Sequence, residues 1–303
     1  MMLRKIVNLS LKHTLRRLWD DVPTVSVARK TYGDADRVGS IGRRRVRVEL
    51  ATIGGIGVEW VGPRARAADG VVLHLHGGGF AVRATLTERR FAAGLSLRSG
   101  LPVVLVPYRL APEHPFPAGL QDCCDVYAGL IAEGISARKI VVTGHSAGAN
   151  LALVLLMRAR RHGLPQPAGA VFLSAPVDMT GSSSSAAANV KKDCMMGPGI
   201  WPFVRDNYLG STPLDHPDAS PIFGDWAGLA PMHFHVSSQE IILDDSRRAV
   251  ERARQANTVA DLTVWHDVPH SFYYMDLLPE SRRCRDEIVT FIDCVLSPVT
   301  HPA

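Results

Sequence analysis

Cysteine is scarce in this chain, and what there is does not suit a metal or disulfide framework. Five cysteines stand among 303 residues (Cys123, Cys124, Cys194, Cys284 and Cys294), an odd number without a C-x-x-C spacing. A disulfide scaffold or a zinc site is therefore not expected, and free thiols suit a reducing compartment. Adjacent Cys123 and Cys124 fall in a helical stretch and read as small buried apolar side chains. Long hydrophobic runs are missing too, so no integral membrane segment is expected. Residues 1–19 have a basic flank but lack a continuous apolar stretch followed by a small-residue cleavage site. The expectation is a soluble, cytoplasmic protein. Nor is there a stripe of basic residues interleaved with aromatics, as a nucleic-acid binder would show. The formal charge of +5 gathers at the beginning, with Arg16, Arg17, Arg43, Arg44 and Arg45, while the body is mixed in sign. Nucleic acid is not an expected partner, and no internal repeat is visible.

What is present is a core-former. A chain of 303 residues with 46% hydrophobic content can bury one large core, and one embellished domain is expected over two. Residues 45–50 and 57–60 alternate polar and apolar like a half-exposed antiparallel pair. Uniformly apolar runs follow at 71–74, 103–107, 140–143, 170–173, 232–236 and 262–265. Helical stretches separate them at 88–99, 120–133, 150–161, 245–256 and 280–295. Buried strands alternating with helices predict an α/β fold: a mostly parallel eight-stranded sheet with helices on both faces. Ligands of such sheets bind beyond the carboxyl ends of the strands.

Two segments fall outside that pattern. Residues 1–39 carry an amphipathic helical repeat, with Leu3, Ile6, Val7, Leu11, Leu15 and Leu18 set against Arg4, Lys5, Lys12 and Arg16. Residues 177–212 form an insertion with a flexible Gly181–Ser185 stretch, then Met195, Met196, Trp201, Phe203 and Tyr208. A connection this long is usually functional. Both are expected to lie as a helical cap over the strand ends, with residues 40–303 forming the main domain. Basic residues beside an apolar stripe also suit anionic lipid, so surface association of the first helix stays open.

Chemistry concentrates at three strand ends. Gly144-His145-Ser146-Ala147-Gly148 joins a strand to a helix, and a turn that tight lifts a serine hydroxyl out of the sheet. His76-Gly77-Gly78-Gly79-Phe80 follows another strand. Consecutive glycines there let backbone N–H groups approach a developing oxyanion. No following Lys-Ser/Thr or G-x-G-x-x-G supports a phosphate loop instead. A serine nucleophile needs a base held by an acid, and in this topology the acid and the base should follow it in that order. His270, in the turn after the last strand, is the base. Its rivals are His266, read as lying within the strand, and His233 and His235, which share a strand face. The last two form an H-x-H pair with no third metal ligand at a recognisable spacing. For the acid, Glu240 stands closest to the strand end. Asp244 is its main rival, although Asp244 or Asp245 could equally cap the next helix.

Together, His76-Gly77-Gly78-Gly79, the Tyr108-Arg109-Leu110-Ala111-Pro112-Glu113-His114-Pro115-Phe116-Pro117-Ala118 stretch and the serine turn resemble the hormone-sensitive-lipase-like branch of the α/β-hydrolase fold. The resemblance spans roughly residues 45–295. It implies a carboxylic-ester hydrolase with an N-terminal cap, and oxyanion donors at the N–H groups of Gly78, Gly79 and Ala147. The family's acid stands four residues before a second carboxylate, a spacing that Glu240 and Asp244 reproduce. Two departures stand out: His145 replaces the usual aspartate before the nucleophile, and Ala149 replaces a glycine. Altered hydrogen bonding beside the turn is expected from the first, a slight tightening from the second.

The expected function is hydrolysis of short- to medium-chain acyl esters by Ser146, His270 and Glu240, with no metal or organic cofactor. The partner is a small-molecule ester, and a homodimer stays open. One rival is a receptor of the same fold, which typically lacks the base. Another is an acyltransferase or amidase on the same triad, which product analysis with an added alcohol would separate.

Overall fold

Uniformly apolar runs in the inner strands leave each strand with two faces to bury, and helices cover both. The computed structural model describes residues 2–40 and 46–297; Arg43, Arg44 and Arg45 lie outside them. Eight strands form one sheet: β1 (Val48–Ile53), β2 (Ile56–Val61), β3 (Val71–Leu75), β4 (Val103–Val106), β5 (Ile140–His145), β6 (Gly169–Leu173), β7 (Met232–Ser237) and β8 (Ala260–Trp265). Their order across the sheet is β1-β2-β4-β3-β5-β6-β7-β8. The first two strands pair antiparallel, β2 runs antiparallel to β4, and all other neighbours are parallel. The expected α/β-hydrolase sheet is the one found.

Ten α-helices accompany it among the described residues: α1 (Met2–His13), α2 (Leu15–Leu18), α3 (Val25–Gly39), α4 (Leu86–Ser99), α5 (Ala118–Ala132), α6 (Ala147–Arg161), α7 (Ser184–Ala188), α8 (Ile200–Val204), α9 (Leu243–Gln255) and α10 (Pro279–Leu296). The core divides by sheet face. Leu73, Val104 and Val142 pack with Leu120 and Val126 of α5, with α6, and with Ala249 and Ala253 of α9. Val72, Val103 and Val141 pack with Phe91 and Leu95 of α4 and with Ile288 and Ile292 of α10. Helix α6 is buried nearly all round because the sheet and α5 both pack against it. No described helix is long and apolar enough to cross a membrane.

The N-terminal helices are tied to the strand ends by polar side chains. Arg29 of α3 donates to the carbonyls of Ala81 (2.8 Å) and Ala111 (3.0 Å) and pairs with both oxygens of Glu113. Asp36 accepts from the N–H groups of Leu86 and Thr87 and so serves the free donors at the start of α4. From α1, Arg4 donates to the carbonyl of His266 and Asn8 to that of Asp267, beyond the end of β8. His266 thus lies just after the strand rather than within it. The amphipathic stripe of α1 is divided: Val7 and Leu11 line a cleft beside the strand ends, whereas Leu3 and Ile6 are exposed. The serine stretch of the insertion is also more ordered than its composition suggests. Ser182 donates to Asp178 (2.7 Å) and Ser185 to the carbonyl of Ile241 (2.8 Å). Buried acceptors order what an isolated serine run would leave loose.

Candidate active site

Ser146 sits between β5 and α6 with φ 52° and ψ −120°, a conformation that costs a non-glycine residue about 1–3 kcal/mol. Crowding holds it there. A Cβ on Gly144 would lie 2.4 Å from the carbonyl oxygen of Gly148, and one on Gly148 would lie 2.1 Å from that of Leu75. Both positions are backbone against backbone, so only glycine lets α6 start this close to β3. The Ser146 N–H donates to the carbonyl of Leu173 at 2.8 Å, fixing the turn to β6. Ala147 opens α6, where helix geometry leaves its N–H without an intrahelical acceptor.

His270 and Glu240 meet from two loops. His270 Nδ1 and Glu240 Oε2 lie 2.6 Å apart, and both residues are buried. The other Glu240 oxygen accepts from the Ser237 N–H at 2.6 Å and from the Ser174 hydroxyl at 2.9 Å. With those donors fixed, the carboxylate selects the Nδ1–H tautomer of His270 and leaves Nε2 as a lone-pair base. Burial alone would push the His270 imidazole down, but the charge and hydrogen bond of Glu240 overcome it and its pKa is raised from 6.5.

The glycine tract forms a turn over the strand ends. Gly78 and Gly79 have φ of 115° and 59°, and the Gly78 carbonyl accepts from the N–H groups of Ala81 and Val82. His76 anchors the tract, with Nδ1 2.7 Å from the Gly77 carbonyl and its ring stacked on Tyr108 at 4.2 Å. Tyr108 in turn donates to the His76 carbonyl at 2.8 Å. Burial pushes the His76 imidazole down to about 4, so it stays neutral. Ser146, Ala147, His270, Gly78 and Gly79 all line one chamber of about 70 Å³, walled by Trp19, Met195, Met196 and Trp201. A serine, an imidazole held by a carboxylate, and backbone donors around one small space are the parts of acyl transfer.

Residues 72–274 match the family model described as the alpha/beta hydrolase fold. The chain belongs to the α/β-hydrolase family. It is 32% identical over 245 residues to an acetyl-hydrolase of Streptomyces hygroscopicus, covering 80% of this chain and 82% of that one. An esterase of Acinetobacter venetianus is also 32% identical, over 252 residues, with 81% and 82% covered. Among solved structures, an esterase of the bacterial hormone-sensitive lipase family superposes with a TM-score of 0.89 at 31% identity, covering 97% of this chain and 98% of that one. This α/β-hydrolase is thus an enzyme of the hormone-sensitive-lipase-like branch, a carboxylic-ester hydrolase.

Within this hydrolase the rival carboxylates have other partners. Asp244 Oδ2 accepts from the Ser185 N–H at 2.9 Å and Oδ1 pairs with Arg247. Asp245 accepts from the N–H groups of Val177 and Asp178. Neither caps its own helix, whose N-cap is Ile242 without a side-chain bond; both reach into the insertion instead. The H-x-H pair does gain a third group, because α10 brings Glu287 close enough that the donor atoms lie within 4.8 Å of one another. Those atoms are engaged elsewhere: His235 Nδ1 accepts from the Trp265 indole at 3.2 Å and Glu287 from the Thr263 hydroxyl at 3.0 Å.

Three supporting residues escaped sequence reasoning. Ser174 reaches Glu240 from the end of β6. Buried Asp193 accepts from the N–H groups of Met195, Met196 and Ile241, clamping the insertion to the Glu240 loop. Burial, helped by the nearby charge of Glu240, pushes its carboxyl up to about 6. Asn189 donates to the carbonyls of Ser238 and Glu240 on that same loop. Only a serine directly after an apolar run hinted at the first; no local signal marked the others.

Proposed function

We propose that this hydrolase cleaves short- to medium-chain acyl esters through a Ser146-His270-Glu240 triad and an acyl-enzyme intermediate. His270 Nε2 takes the proton as Ser146 Oγ attacks the ester carbonyl, and the carbonyl oxygen becomes an oxyanion received by the N–H groups of Gly78, Gly79 and Ala147. Glu240 stabilises the resulting imidazolium. The C–O bond breaks as His270 returns the proton to the leaving alkoxide, and water then repeats the sequence on the acyl-enzyme. The 2.6 Å pairing of Glu240 with His270, which lines the same chamber as Ser146, is the observation that carries this reading.

The preference for short acyl groups rests on the cap, which we assign to residues 1–39 and 177–212. Trp19 packs edge-on against Phe203 at 5.1 Å, and the Trp19 carbonyl accepts from the Gly199 N–H at 2.9 Å. A chamber of about 70 Å³ holds roughly two water-sized groups, enough for the first carbons of an acyl chain. An adjoining cleft of about 1130 Å³, which Gly78, His145 and Ser271 also line, takes the remainder of the ester. Nitrophenyl esters from acetate to palmitate test the range, with the highest kcat/KM expected at roughly C2–C8; a maximum at palmitate would refute it. An organophosphate should label Ser146 and abolish turnover in step. Full activity in Ser146→Ala would overturn the triad altogether.

A further inference from the structure

Beside the triad lies a second buried carboxylate and imidazole that acyl transfer as described does not use. Glu88, in the first turn of α4, is buried and accepts four hydrogen bonds. One oxygen receives the Gly77 N–H (3.0 Å) and His145 Nδ1–H (3.1 Å). The other receives His74 Nε2–H (3.0 Å) and the Tyr274 hydroxyl (2.6 Å). Burial opposes ionisation, but the hydrogen bonds and charges of His145 and His74 hold this carboxyl well below the usual carboxylate range.

Each donor comes from a different part of the site. Gly77 opens the glycine tract, and a Cβ there would lie 2.5 Å from His145 Nδ1, so the imidazole rests directly on that loop. His145 precedes Ser146. Its Nδ1–H faces Glu88, which leaves Nε2 to accept from the Ser271 hydroxyl at 2.8 Å. Ser271 follows His270 and takes φ 63°, a left-handed conformation uncommon for serine. The His145 ring also stands 5.3 Å from that of His270 and meets Tyr273 and Tyr274 edge-on.

We propose that Glu88 and His145 form a positioning pair that fixes the glycine tract, the nucleophile turn and the His270 loop relative to one another. The inference rests on the roles given above to Ser146, His270, Gly78 and Gly79. Neither Glu88 nor His145 touches the reacting atoms; they act through Gly77 and Ser271. The pair also explains why this chain departs from its family at position 145. An aspartate there would set two buried carboxylates against each other where Glu88 already supplies the negative charge, and like charges that close cannot both stay ionised.

The charge logic gives a test that a merely space-filling role would not pass. His145→Asp, the residue usual in the family, should lower kcat about 100-fold with KM within about threefold, the scale of a misplaced catalytic group. Glu88→Gln combined with His145→Asp lets the amide donate to the new carboxylate and should recover at least about tenfold over His145→Asp. The acid limb of kcat/KM gives a second readout. His270 faces Glu240 and Asp193 on one side and His145 on the other; His145 itself faces Glu88, His74 and His270. A carboxylate at 145 should therefore move the limb to higher pH. His145→Asn, neutral and able to donate to Glu88, covers the case in which His145→Asp fails to fold, and should keep kcat within about tenfold. Wild-type kcat and an unmoved limb in a folded His145→Asp protein would overturn the positioning pair, as would a double variant no better than the single one. A loss of more than about 100-fold in folded His145→Asn would overturn it too. Ser146→Ala run alongside separates the two readings: inactive Ser146→Ala with normal His145→Asp refutes the pair alone, and active Ser146→Ala refutes the triad beneath it.

Discussion

Replacing Glu240 with glutamine changes one oxygen to an NH₂ group, and the surroundings decide which one. Oε1 accepts from the Ser237 N–H and the Ser174 hydroxyl, so the amide oxygen must stay on that side and the NH₂ must face His270 Nδ1. A donor opposite Nδ1 forces the proton onto Nε2, the atom that should receive the proton of Ser146. The imidazole is then present, buried and in the wrong tautomer. Loss of an orienting carboxylate by this route costs about 10⁴-fold in kcat in serine triads, or about 5 kcal/mol of transition-state stabilisation at 1.36 kcal/mol per tenfold. Asp244→Asn is the control. Its carboxylate serves the Ser185 N–H and a largely exposed Arg247, and an exposed pair of that kind contributes about 0–1 kcal/mol. It should leave kcat within about threefold and lower the melting temperature slightly. Turnover of a nitrophenyl ester and thermal melting on both variants suffice. A large kcat loss in Asp244→Asn with near-normal Glu240→Gln would assign the acid to Asp244 and refute the tautomer argument.

The kcat/KM profile should rise with pH through one group above 6.5, because Glu240 raises the pKa of His270 and the base must be neutral; a profile flat down to pH 5 would exclude a histidine base. Gly148→Ala should destabilise by at least about 1–3 kcal/mol and depress activity, since its Cβ meets the backbone oxygens of Leu75 and His76 at 2.1 and 2.4 Å; an unchanged melting curve would refute the crowding. Asp193 binds its proton more tightly folded than unfolded, so it contributes stability below about pH 4 that is lost as pH rises to about 6. Asp193→Asn should therefore compare better with wild type at pH 7.5 than at pH 4.5, and the opposite trend in paired denaturation curves would contradict the raised value.

The sheet was legible because its signal is local. Runs such as 140–143 and 170–173 are uniformly apolar, and only a strand buried on both faces needs that; helices of the right length fall between them. The serine turn was legible for a related reason, since two glycines flanking a serine between a strand and a helix answer a crowding problem within five residues. Boundaries suffered where tertiary contacts set them. Asp244 and Asp245 look like helix caps in sequence, yet unpaired N–H groups of the insertion, at Val177, Asp178 and Ser185, draw both side chains away. The serine run from 182 to 185 reads as a tether until Asp178, Asp245 and Asp244 accept hydrogen bonds from it.

Glu88 shows what local reading cannot reach. In sequence it is an acidic residue in the first turn of a helix, where the helix dipole favours a carboxylate and surface exposure would be ordinary. Nothing nearby announces that β3 brings His74 against it, or that β5 brings His145, 57 residues away. The departure at position 145 was visible, but its meaning needed the partner. An isolated buried carboxylate would be expelled or protonated; four donors, from β3, the glycine tract, β5 and the segment after His270, make this one tolerable. Substitutions at 88 and 145 should therefore be strongly non-additive. In this chain a change at position 145 is best judged against Glu88, which α4 presents to it, because a second buried carboxylate there would meet the charge already in place.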